Sequence, residues 1–93
     1  MIRHIVLFNV REGENPDLVA RIAREALEPL VGQIPGLKSL EVRRCFAGCD
    51  FALDSLLESR EALGVYAPHP LHEEAKSRFF HLLSSRMAAD FEI

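Results

Sequence analysis

Three observations predict an α+β fold, with helices laid on one side of a four-stranded antiparallel sheet. Four short segments have strand character and three have helical spacing, the second and third strands are joined by too few residues for anything but a hairpin, and no repeat or linker divides the 93 residues. At this length roughly 60–65% of the unfolded chain's surface can be buried, which supplies one core and not two. Residues 1–93 are therefore expected to form a single domain.

The first strand is read over Ile2 to Val10, where Ile2, His4, Val6, Phe8 and Val10 alternate with Arg3, Ile5, Leu7 and Asn9, so both faces carry apolar side chains. Asn15 can cap a helix with Pro16 in its first turn, and apolar positions recur at helical spacing up to about Val31, with Pro29 bending the last turn and Gly32 suited to the C-cap. After the Ile34-Pro35-Gly36 turn, a second strand is expected over Leu37 to Phe46, with Leu40, Val42 and Phe46 on one side. Ala47 to Asp50 turns the chain into a third strand, Phe51 to Leu57. Ser59 caps a short helix through Tyr66, which Pro68 prevents from continuing. His69-Pro70 opens a further helix, with Glu73 and Glu74 near its positive end and Leu71, Ala75, Phe79 and Leu82 as its apolar stripe, ending near Ser85. Arg86 to Ile93 is the fourth strand, with Met87, Ala89, Phe91 and Ile93 on one face and Ala88, Asp90 and Glu92 on the other.

The order β-α-β-β-α-α-β fits a ferredoxin-like split βαβ unit, in which helices cover one sheet face only. The first strand would lie at the sheet centre, yet one of its two apolar registers must face away from the helices, which leaves residues such as Ile5, Leu7 and Met87 or their register-mates on the uncovered face. At about 25 cal/mol per Å², leaving that face wet forfeits several kcal/mol. A second copy covering it is the simplest remedy, so the expected partner is the chain itself, as a homodimer.

Composition excludes other classes. Hydrophobic residues at 48% and charged residues at 27% are those of an ordinary globular domain. Apolar runs such as Ile5–Phe8 fall far short of the ~20 residues needed to cross a bilayer, and no basic-then-apolar leader opens the chain, so no membrane association and a cytoplasmic location are expected. The net charge of −3, with arginines and acids interspersed, offers no basic track for nucleic acid, and the Arg43-Arg44 doublet reads as a solvated strand end. Cys45 and Cys49 form a C-x₃-C pair without a second pair, so two free thiols are expected rather than a metal site.

The segments MIRHIVLFNVREG, IPGLKSLEV, YAPHPLHEEAKSRF and the closing DFEI together resemble the stress-responsive dimeric α/β-barrel (Dabb) domains over nearly the whole chain. The resemblance implies a ferredoxin-like protomer whose sheet pairs with another into a dimeric α/β barrel. One branch is similar to plant polyketide cyclases, where a Tyr before the His-Pro-x-His element and its second His do acid–base work without a cofactor. Those positions are Tyr66 and His72 here, the family's first-strand histidine matches His4, and an acid in the last strand matches Asp90. Leu53 stands where the cyclases have another histidine, and Asp54-Ser55 interrupts a strand that is usually more apolar.

The chemistry of these residues supports two readings. A histidine takes and returns a proton near neutral pH while a phenol polarises a carbonyl oxygen, so Tyr66 and His72 could serve as catalytic residues in a cyclase- or lyase-like reaction on a carbonyl compound. Alternatively, His69-Pro70 simply starts a helix, His72 packs at its first turn, and Tyr66 fills core with its hydroxyl reaching solvent or backbone. His4 shares a register with Val6 and Phe8 and needs a polar partner. Antiparallel pairing could bring Asp90 to it, as a structural pair or as part of a substrate-binding site. His81 reads as a partly exposed surface residue, and Asp54 as either pocket lining or barrel rim. The function expected is thus a homodimeric pocket protein for a small hydrophobic ligand or, alternatively, a non-catalytic stress-response or assembly module whose barrel is the functional unit. An enclosed apolar cavity of about 300 Å³ or more, with Tyr66 and His72 converging on it, favours the first.

Overall fold

Asn15 shows why the first helix begins where it does. Its backbone is extended and its side-chain oxygen accepts hydrogen bonds from the amides of Asp17 and Leu18 at 2.9 and 3.3 Å, while Pro16 occupies the first helical position. In the computed structural model, which describes Met1–Ile93, helix α1 spans Pro16–Leu27 and buries Val19, Ala20, Ala23, Ala26 and Leu27. Strand β1 (Ile2–Val10) precedes it, and β2 (Leu37–Arg44), β3 (Phe51–Leu57), helices α2 (Arg60–Tyr66) and α3 (Pro70–Ser77), and β4 (Leu83–Glu92) follow. The sheet order is β2-β3-β1-β4 with every neighbouring pair antiparallel, a ferredoxin-like fold. No helix is long and apolar enough to cross a membrane.

Three element ends differ from the sequence expectation, each for an identifiable physical reason. Helix α1 stops at Leu27 rather than near Val31, because Pro29 has no amide to donate; Glu28–Leu30 tightens into a 3₁₀ turn and Val31 is left exposed. Strand β2 stops at Arg44 rather than Phe46. The loop after it is closed by a Cys45 amide bond to the Asp50 carbonyl at 3.0 Å, and Phe46 projects fully into solvent. Asp50 ties that loop to β1, its carboxylate accepting from the Val10 amide at 2.8 Å and its amide donating to the Phe8 carbonyl at 3.0 Å.

The largest departure is at α3, which ends at Ser77 instead of near Ser85, so β4 starts at Leu83 rather than Arg86. Leaving the helix lets Phe79 bury completely, with its ring 5.8 Å from that of Phe8 and 6.4 Å from that of Phe51. A 3₁₀ turn over Phe80–Leu82 then drops Leu83 into register with Val10. Leu71, expected in the apolar stripe, is exposed, as is His81.

The register assigns the two faces of the sheet. Ile2, Val6 and Phe8 are buried under the helices with Phe51, Leu53 and Leu57 of β3. The opposite face sets Leu7 against Met87, Ile5 against Ala89 and Arg3 against Phe91. Leu7, Met87 and Phe91 are 42%, 70% and 48% exposed, so this helix-free face is apolar along β1 and β4 and polar toward β2, where Ser39, Glu41 and Arg43 stand.

One glycine in the turn before β2 governs the placement of α2. Gly36 has φ +84°, and a Cβ there would lie 2.5 Å from the Cβ of Ala62. Gly13 has a similar φ of +88° with nothing nearby. Gly13→Ala should cost only the left-handed backbone penalty of about 1–2 kcal/mol, whereas Gly36→Ala should cost clearly more and displace α2, which carries Tyr66. Urea denaturation of the two variants side by side checks this, and equal losses would show that the Ala62 contact is unimportant.

Candidate functional site

Helices α2 and α3 cross the sheet so as to leave a cavity of about 230 Å³ between themselves, α1 and the inner face of β1 and β3. Val6, Phe8, Leu27, Leu53, Leu63, Phe79 and Phe80 make its apolar wall; His4, Tyr66 and His72 supply further polar groups, and Lys76 and Arg86 positive charges. The volume is below the ~300 Å³ expected of a pocket for a drug-sized ligand, which restricts an occupant to a small compound.

The bend that brings Tyr66 and His72 together is built by caps. Ser59 accepts from the Ala62 amide at 3.1 Å to start α2. His69 caps α3 through its own ring, Nδ1 accepting from the Leu71 amide at 3.1 Å, with Pro70 at the first helical position. The result stacks the Tyr66 and His72 rings at 4.1 Å between centroids, 25° from parallel. Tyr66 is 1% exposed, and its hydroxyl has no hydrogen-bond partner within the protein; it reaches neither solvent nor backbone. An unsatisfied buried hydroxyl costs about 1–3 kcal/mol. Burial pushes its pKa well up, so the group is a phenol and a donor throughout the physiological range.

His72 donates from Nδ1 to the Ala67 carbonyl at 3.0 Å, since a carbonyl can only accept, and this leaves Nε2 as the basic atom of the neutral ring. Burial lowers its pKa below the ordinary 6.5, outweighing the opposing hydrogen bond to Ala67, so the imidazole is neutral at pH 7. His4 lies directly opposite Asp90 in the β1–β4 register, and its Nδ1 bonds the Asp90 carboxylate, which likewise leaves Nε2 unprotonated in the neutral ring. The His4 ring meets Tyr66 edge-on at 6.1 Å. Asp90 itself does not line the cavity; it stands behind His4 and borders a separate surface depression with Arg60 and Glu92.

The proton linkage of His72 yields a stability prediction. Between the lowered native pKa and 6.5 the unfolded chain binds a proton that the native chain does not, so this residue's contribution to stability falls as pH drops below about 6.5. The melting temperature of wild type relative to that of His72→Gln should fall from pH 7 to pH 5, whichever is the more stable at pH 7. A constant difference would contradict the buried neutral imidazole.

Tyr66, His72, His4 and Asp90 are thus brought into one cluster. Lys76 and Arg86 were not anticipated from the sequence. The signals were present: Lys76 is one helical turn beyond His72, and Arg86 shares the face of Ala88 and Asp90 on β4. Asp54 lies on the helix-free face, paired with Arg3 at 3.0 Å, and takes no part in the cavity. Ser55, its neighbour, is buried and satisfied, its hydroxyl donating to the His4 carbonyl at 2.9 Å. Cys45 and Cys49 are unbridged in the β2–β3 loop with sulfurs 3.7 Å apart, and burial pushes the Cys45 thiol pKa up.

A profile of the Stress responsive A/B Barrel Domain family matches residues 2–93. An uncharacterized protein of Streptomyces coelicolor is 32% identical over 99% of both chains. Among solved structures, a dimeric protein of unknown function and ferredoxin-like fold from Bacteroides fragilis superimposes with a TM-score of 0.89 at 28% identity, covering 99% of this chain and 95% of that one. A dimeric ferredoxin-like protein of unknown function from Thermobifida fusca does so with a TM-score of 0.82 at 30% identity, covering 99% and 90%. The hydroxynitrile lyase from Passiflora edulis shares the fold, with a TM-score of 0.81 at 17% identity over 99% and 92% of the two chains.

Proposed function

The chain belongs to the stress responsive A/B barrel domain family, and from that premise we propose that it is a homodimer whose protomers each hold a small carbonyl compound in the cavity under α2 and α3 and act on it by cofactor-free acid–base chemistry of the cyclase or lyase kind. The observation that carries this reading is the buried Tyr66 hydroxyl, a donor without a protein acceptor, stacked on a neutral imidazole in the same cavity. Buried donors of this kind are rare in native proteins, and a ligand oxygen would satisfy it.

The roles follow from the protonation states. Tyr66 donates to the carbonyl oxygen and stabilises negative charge as it develops there. His72 removes a proton through Nε2 and returns it later, with Ala67 holding its tautomer. His4 orients the bound compound, and Asp90 holds the His4 ring and tautomer from behind. Lyase chemistry on this fold has an example in the Passiflora edulis enzyme. Dimerisation is supported by the exposed Leu7, Met87 and Phe91 and by the dimeric state of the Bacteroides fragilis and Thermobifida fusca proteins.

Titration with small aromatic aldehydes and ketones, followed by the NMR signals of the His4 and His72 imidazoles, tests the cavity. Saturable shifts at both rings, abolished by Leu63→Trp, are the expected result. The helix-free apolar face equally favours a second reading, in which the dimer is itself the functional unit, and that reading expects no saturable shift from any of these compounds.

A further inference from the structure

Every charge that lines the cavity is positive. None of its lining residues is an acid, although the chain as a whole carries a net charge of −3. Lys76 is engaged by Glu73 at 2.7 Å. Arg86 is different: its guanidinium meets no carboxylate and makes no hydrogen bond, and of the arginines without an acid partner, Arg11, Arg21, Arg24 and Arg86, it alone lines the cavity. It lies 5.8 Å from the centroid of Phe80, whose ring also carries the Lys76 ammonium at 5.4 Å. The cation–π contact holds the guanidinium against an apolar wall without using its fork of N–H donors.

The position follows from the sheet. Arg86 pairs with Phe8 in the β1–β4 register and therefore stands on the helix side, the face of Phe8 and His4, not the face that a second sheet would cover. It is exposed to solvent and lines the same cavity in which Tyr66 is buried. A planar guanidinium on an aromatic plane matches a carboxylate in two parallel hydrogen bonds. The same fork can pair with a phosphate, but inorganic phosphate has no apolar body to fill a cavity walled by Val6, Phe8, Leu53, Leu63 and Phe79.

We propose that Arg86 is an anion subsite of the cavity, so that the compound taken is a small apolar oxo-acid whose carboxylate sits at Arg86 while its ketone or aldehyde carbonyl reaches Tyr66. The proposal rests on reading the cavity as a ligand site. Calorimetric titration of the wild-type dimer with 2-oxo-2-phenylacetate, its neutral amide and inorganic phosphate tests it. The oxo-acid should bind about 10-fold more tightly than the amide, a modest factor because the guanidinium is exposed to solvent screening, and phosphate should bind more weakly than either. Arg86→Gln should bring the oxo-acid down to the affinity of the amide, leave the amide unchanged, and leave the mass by light scattering at the wild-type value.

Amide binding without any preference for the acid, or a preference that survives Arg86→Gln, overturns the subsite while the cavity reading stands. Phosphate binding as tightly as the oxo-acid overturns the assignment to carboxylates. Failure of both organic probes to bind overturns the cavity reading and the subsite together.

Discussion

His72→Ala and Tyr66→Phe should each lower the rate on a turned-over carbonyl substrate by on the order of 10²–10⁴, the usual contribution of positioned proton transfer, while leaving dimer mass unchanged and ligand binding weakened by far less than the rate. The folded state should tolerate both changes. His72 is only partly buried, and its one protein hydrogen bond goes to the Ala67 carbonyl. Tyr66→Phe deletes a hydroxyl that bonds to nothing in the protein, so it should be neutral or slightly stabilising, since the cost of an unsatisfied buried donor disappears with it. The combination of lost rate with an unchanged or raised melting temperature is diagnostic. A purely structural role for Tyr66 expects no effect of Tyr66→Phe on turnover, and that result would retire the catalytic assignment. The double variant should lose little more than the worse single one, because the two residues act in the same step.

Leu7→Arg should separate the dimer. Leu7 lies on the central strand β1, opposite Met87 on the helix-free face, and a two-fold interface uses it twice. Losing about 1.5–3 kcal/mol of apolar burial per copy raises the dissociation constant by roughly 10²–10⁴, before any cost of burying the introduced charge. Light scattering at micromolar concentration should then report one 10.5 kDa chain instead of two. Leu18→Arg is the control, because Leu18 is equally exposed but sits on α1, on the other side of the sheet, and should leave the dimer intact. Dissociation by both variants, or by neither, would remove the helix-free face of the sheet as the interface.

Much of this architecture was already legible in the chain. The two apolar registers of β1, the Asn15 and Ser59 caps, the Pro16 and Pro70 helix starts and the Ile34-Pro35-Gly36 turn are local signals, each set by one or two residues, and each appears where expected. The opposition of His4 and Asp90 was legible too, because antiparallel pairing of two strands with strict alternation leaves few registers that keep apolar residues inward.

The helix expected to continue to Ser85 failed for a related reason. Phe79, Phe80, Leu82 and Leu83 satisfy helical spacing and strand spacing alike, and local propensity cannot choose between them. The choice is made by the place waiting for Phe79 between Phe8 and Phe51, two residues far away in sequence. The cavity is of the same kind. Its cationic lining needs a residue on α3 and one on β4 to meet at Phe80, and the missing partner of the Tyr66 hydroxyl is a property of everything around it. Sequence by itself determined the order of strands and helices, the alternation that divides each strand between two faces and the caps that start the helices, because these depend on period and on neighbours a few residues away. Only the tertiary structure decided where α3 ends, that a cavity is left beneath it, and that Arg86 opens onto it uncompensated, because these depend on how distant side chains fill, or leave unfilled, a shared volume.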